Sequence, residues 1–178
     1  SGATMLLPVG VYGYEYQSLN SRQFYTPGAV GAYSWFAVMS DRDSALVEIT
    51  PAVTTRTGRP AGVPFQQYLM AGEVYNVMGT INGSAGTDLS GSFIKSIANA
   101  SGNCYPVAVF SGSSRTSLCG TSGDNFIQQV FPSQAWGRKY LTFGTANATS
   151  NTTYNSNLFR VMVKDPTTVV NVTVNGAV

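Results

Sequence analysis

Hydrophobic positions along this chain recur at every second residue rather than every third or fourth. In residues 11–17 (VYGYEYQ), Tyr12, Tyr14 and Tyr16 alternate with Val11, Gly13, Glu15 and Gln17. Successive strand side chains point to opposite faces, so the three tyrosines are predicted to share one face. The same alternation, or a short β-branched and aromatic run, marks 34–39 (SWFAVM), 44–51 (SALVEITP), 64–70 (PFQQYLM) and 73–81 (EVYNVMGTI). It continues at 89–97 (LSGSFIKSI), 105–112 (YPVAVFSG), 126–131 (FIQQVF), 138–145 (RKYLTFGT), 157–163 (NLFRVMV) and 167–176 (TTVVNVTVNG). Turn formers punctuate these runs, among them Pro27-Gly28, Asp41-Arg42-Asp43, Thr57-Gly58-Arg59-Pro60, Ser101-Gly102 and Asp165-Pro166. Roughly ten short strands separated by turns predict an all-β fold, an antiparallel β-sandwich first and part of a β-propeller-like array as the alternative. Helical turns are expected only at 18–24 and 94–100, and 146–157 (ANATSNTTYNSN) reads as a polar, flexible loop.

A weak internal echo accompanies the pattern. Residues 44–51 and 167–176 are both β-branched runs that follow an acidic turn and an aromatic-aliphatic strand. Either a supersecondary unit is duplicated, at a spacing beyond that of solenoid or propeller repeats, or two strands of a β protein are simply alike. The length of 178 residues suits a single β domain. Residues 1–34 read as an N-terminal extension or as its first strands, and the whole as a module or excised piece of a larger exported protein.

Composition narrows the class. Charged residues make up 10% of the chain, against about 25% in an average soluble domain. Ser, Thr, Asn, Gln and Gly must therefore carry the surface, as in exported β-proteins. Net charge is +2, and among the basic residues only Arg138 and Lys139 are adjacent. A nucleic-acid ligand would need a dense basic stripe, so none is expected. No run of 18 apolar residues offers a membrane span.

The two cysteines, Cys104 and Cys119, stand without a single histidine in the chain. Structural zinc needs three or four ligands, and a C-x-x-C redox pair is absent. With YPVAVF as a strand, a turn at 111–112 and a return through RTSLC, the two sulfurs would face each other across a hairpin. A disulfide is the expectation, with free thiols in a reducing compartment as the alternative; a disulfide would place the protein outside the cytosol.

Residues 88–144 carry a more specific signal. Asp88, Leu89, Ser90, Gly91 and Ser92, then Pro106 through Gly112, then Asp124, Gln129, Pro132, Trp136 and Gly137 resemble, in order, three motifs of the IgGFc-binding protein N-terminal domain family. Flanking strands extend the resemblance over roughly residues 35–178. Asn125 and Gln128 stand where the family has His and Glu. Arg115 lies in the region where a family cysteine usually falls, and Cys104 takes its place upstream. The resemblance implies an exported, β-rich interaction module like those of large bacterial surface proteins, including adhesins of gliding bacteria. It does not extend to Fc binding by this chain.

Candidate sites follow from residue type. Without histidine, Ser-His-Asp and Cys-His catalysis are closed, and the chain is expected not to be an enzyme. Asp41 and Asp43 in SDRDS (40–44) offer two carboxylates to calcium. Hard cations take six to eight oxygens, so Asp124 or Asp165 would have to complete that site, and an ordinary turn is the alternative. No other cofactor is expected. Tyr12, Tyr14 and Tyr16 would stack on sugars or a protein partner if their face is wet; the more polar opposite face favours a core role. Arg56 and Arg59 in the loop 52–64 are candidates to read carboxylates or glycans. Ser44, in Asp43-Ser44-Ala45, resembles a short O-glycosylation motif of gliding bacteria. The expected partners are a protein or glycan on a host, mucus or cell surface, and neighbouring domains of the same polypeptide. Adhesion or protein interaction at the extracellular cell surface is the first reading. A carbohydrate-binding module or a self-assembling filament spacer is the second.

Overall fold

A computed structural model describes residues 3–23, 33–82, 85–117, 123–142, 146–147, 150–154 and 159–173. Its strands are β1 (Glu15–Gln17), β2 (Ser34–Met39), β3 (Ala45–Thr50), β4 (Phe65–Leu69), β5 (Val74–Met78), β6 (Ile81–Asn82), β7 (Ala85–Gly86), β8 (Phe93–Ile97), β9 (Ala108–Thr116), β10 (Asp124–Gln129), β11 (Ala146–Asn147) and β12 (Ser150–Tyr154). Single 3-10 turns lie at Val9–Val11 and Ser133–Ala135.

Two four-stranded antiparallel sheets, ordered β1-β8-β3-β4 and β10-β9-β2-β5, make up the body. β6-β7 and β11-β12 are two-stranded hairpins beside them. One core joins the sheets: Tyr16, Ile94, Val47, Ile49 and Leu69 of the first pack with Val109, Phe36, Val38 and Val77 of the second. This is the layered core of a sandwich, each strand sending alternate side chains inward. β2 shows it cleanly, with Ser34, Phe36 and Val38 buried and Trp35, Ala37 and Met39 half-buried.

Several expectations change. The predicted strand 11–17 shortens to Glu15–Gln17, because residues 9–11 form a 3-10 turn and Gly13 makes an isolated bridge to Val107. The shared tyrosine face is lost with it: Tyr16 is 1% exposed and Tyr14 44%. The predicted turn at 111–112 does not exist, since β9 runs nine residues straight through it. Gly112 is there for close approach: an added Cβ would lie 2.3 Å from the Phe126 carbonyl oxygen and 3.0 Å from Trp35 Cζ2. Residues 18–23 form no helix, and 94–97 belong to β8. The expected loop 146–157 holds the β11-β12 hairpin, residues 155–157 lying outside the described part. Among the described residues, 138–142, 159–163 and 167–173 form no strand. The echo of 44–51 in 167–176 therefore has no counterpart in the fold, where β3 is an interior strand and 167–173 is unpaired.

Candidate functional site

The chain leaving β3 makes a tight loop. Gly62 N–H donates to the Pro51 carbonyl at 2.8 Å, and the Thr55 and Arg59 backbones are tied by Thr55 N–H to Arg59 O at 2.9 Å and Arg59 N–H to Thr55 Oγ1 at 3.0 Å. The loop then crosses to the other sheet: Thr55 bridges Gly79, and Arg56 N–H donates to the Met78 carbonyl at 2.8 Å. This anchoring sets both arginines on aromatic faces. The Arg56 guanidinium lies 4.5 Å from the Tyr33 ring centre, and that of Arg59 4.6 Å from the Phe65 ring centre. Phe65 meets Tyr75 edge-on, with ring centres 6.2 Å apart.

Stacking holds a guanidinium flat while its N–H edge stays free to donate. Both arginines are exposed, and among the described residues neither has a carboxylate partner. Elsewhere on the loop and on the β4-β5 hairpin Val63, Tyr68, Met70 and Val74 are each 49–53% exposed. β4 and β5 are terminal strands of the two sheets, joined by residues 70–73, so the loop and both edges form one flank of the sandwich. Arginine and aromatic side chains are enriched at protein contact surfaces.

The other sequence candidates do not converge there. Tyr16 is core: its hydroxyl donates to the Val107 carbonyl at 2.6 Å and accepts from Gly13 N–H at 2.7 Å. Burial pushes its pKa up to about 12. Tyr14 is exposed and Tyr12 half-buried, so there is no three-ring platform. Asp41 pairs with Arg42 at 3.5 Å, and Asp43 Oδ1 accepts from Ala71 N–H at 3.0 Å. Among the described residues no third acid, cysteine or histidine joins them to hold a metal. Ser44 is exposed at φ +60°, its carbonyl held by Asn99 Nδ2 at 3.0 Å. Cys104 is a free, exposed thiol 3.4 Å from Ser96 Oγ, and Cys119 lies outside the described residues. The hairpin that was to join them is replaced by β9, whose nine residues span about 27 Å.

Two features had no clear signal in the sequence. The Asp88–Ser92 segment is a structural turn. Asp88 Oδ1 accepts from Ser90 N–H at 2.9 Å, Gly91 adopts φ +86°, Leu89 is fully buried, and Ser92 Oγ accepts from Ala52 N–H at 3.0 Å. Arg160 reaches this turn from the far end of the chain, donating to Asp88 Oδ2 at 2.7 Å, to Ser90 Oγ at 2.9 Å and to the Asn20 carbonyl. Burial alone would raise the Asp88 pKa, but the bonds from Arg160 and Ser90 outweigh it and hold the carboxyl below its ordinary range. Lys164 pairs with Glu15, so residues 160–164 are clamped along the β1 side.

The fold defines a two-sheet antiparallel β domain. Within that class the assignment is direct: a family model described as IgGFc binding protein matches residues 2–178, and the chain belongs to that family. The match takes in the first 34 residues, which the motifs alone had left aside, and β1 within them completes the first sheet. No curated protein and no solved structure matches the chain. No helix among the described residues is long and apolar enough to cross a membrane.

Proposed function

We infer that this protein is an exported, non-catalytic protein-interaction module, acting in adhesion at a cell surface and contacting its partner through the β4-β5 flank. One observation carries the reading: two ring-stacked arginines without acidic partners among the described residues are held by the 52–64 loop at the β4-β5 flank. Such guanidinium edges suit acceptors such as carboxylates. Membership of a family described as IgGFc binding protein supports a protein ligand. The low charge and the absence of histidine support export and binding over acid–base chemistry. The test is surface-plasmon binding of the wild type and of Arg56→Ala/Arg59→Ala to immobilised immunoglobulin Fc and to purified mucin. At least a tenfold loss of affinity, with an unchanged thermal midpoint, is expected for the variant. Wild-type binding that survives both substitutions overturns the choice of surface.

A further inference from the structure

Residues 167–173 have the composition of a strand, Thr and Val broken only by Asn171, yet they pair with nothing described. An Asx-type turn launches them: Asp165 Oδ1 accepts from Thr167 N–H at 2.8 Å and the Asp165 carbonyl from Thr168 N–H at 3.0 Å. Beyond it Val169, Val170 and Val172 are 79%, 46% and 65% exposed. Three valines so displayed in seven residues are a poor solvent-facing segment and a good donor strand.

The sheets offer four edges, and two of them, β10 and β1, are managed. β10 is covered by the N-terminal segment, through Leu7 N–H to Gln129 Oε1 at 2.7 Å and Gln129 N–H to Thr4 Oγ1 at 3.0 Å. β1 is three residues long and carries the Glu15–Lys164 pair. On β4, Gln67 folds its side-chain amide onto the Tyr68 carbonyl at 2.8 Å. β5 (VYNVM) has neither charge nor proline, the usual guards of an edge. Its Met78 carbonyl faces outward to Arg56 N–H. Backbone groups alternate in direction along a strand, so Val74 and Asn76 also turn their N–H and C=O outward. No described group meets them.

We propose that residues 167–173 of one copy of this chain add as a strand to the β5 edge of a second copy. The clamp of residues 160–164 runs along β1, while β5 lies on the β4 flank across the sandwich, so the donor and the edge of one molecule lie on opposite sides. Val170 and Val172, on one face of the added strand, would continue the layer of Tyr75 and Val77. Donor and edge on different faces make a heterologous contact, which builds head-to-tail assemblies. The inference rests on the β4-β5 flank being the interaction surface, and names its partner.

The test is sedimentation velocity of the full chain over a concentration series, for the wild type, Asn76→Pro and Val170→Lys/Val172→Lys. Asn76 N–H faces outward, so proline there removes no bond to β2. The wild type is expected to gain mass with concentration, and both variants to weaken association at least tenfold. The valine pair is exposed, so that variant tests the contact even if Asn76→Pro fails to fold. A wild type that stays monomeric throughout overturns the proposal. So does association sensitive to Asn76→Pro but not to the valine pair, which is the signature of edge-to-edge pairing. Loss of Fc or mucin binding in Arg56→Ala/Arg59→Ala would stand in either case, so the two readings fail separately.

Discussion

At the scale of single residues, Tyr16 carries the largest concentrated effect. It is a large core ring whose hydroxyl ties the Gly13 amide to the Val107 carbonyl, joining the two sheets across their buried faces. Tyr16→Phe keeps the ring and deletes both bonds, leaving the Gly13 amide and the Val107 carbonyl only their long mutual bond at 3.4 Å. A loss of about 1–3 kcal/mol in urea unfolding is expected. The same residue sets a response to alkali. Its folded pKa, about 12, lies above the ordinary tyrosine value of 10.0. Its contribution is thus fully present below the unfolded value and is lost as the pH rises through the folded one. Thermal midpoints of the wild type should fall across that window, and those of Tyr16→Phe should fall less. Periodicity had placed Tyr16 on the same face as Tyr12 and Tyr14. A 3-10 turn and the Gly13 bridge break the alternation, and only the packed structure separates a core ring from a wet one.

At the scale of elements, β2, β3, β4 and β5 lie within three residues of their sequence-predicted bounds, and β8 begins four residues late, because one buried face and short turns leave a clear period of two. β9 was misread at Gly112. A glycine beside serines looks like a turn, but here it clears space for Trp35 and for the β10 backbone, which lie against it in register across β9. Gly112→Ala is therefore expected to destabilise by about 1–3 kcal/mol through overpacking. Circular dichroism and a urea titration would register it as a lower midpoint with the strand signal intact. A turn glycine at that position would have tolerated alanine at little cost in packing. The C-terminal runs were misread in the other direction. Residues 167–173 have strand propensity, but a strand needs a neighbour, and the described molecule supplies none.

At the scale of the whole molecule, contacts between distant parts of the chain decide what is presented. Arg160 lies 72 residues from Asp88 in sequence, and their ion pair at 2.7 Å docks the C-terminal segment on the first sheet. Arg160→Ala should cost about 1 kcal/mol, as expected for a partly exposed charged hydrogen bond. It should also speed amide exchange at residues 160–164 selectively. Asp88 has a depressed folded pKa, so its contribution is present above the ordinary carboxylate range and lost as the pH falls through the folded value. Acid should thus release this segment before the core unfolds, which hydrogen exchange at descending pH would show.

Local chemistry alone determined the period-two strands, their turns, the weakly charged surface and the family motifs, because each is encoded in neighbouring residues. Tertiary structure alone decided which tyrosine is buried, that Cys104 lies before one unbroken strand rather than in a hairpin arm, and which rings lie beneath Arg56 and Arg59. It alone also decided that Val74 and Asn76 on the β5 edge meet no described group. Each of those depends on which distant segments meet, and a pattern of alternating side chains specifies a face to be buried without naming the surface that will bury it.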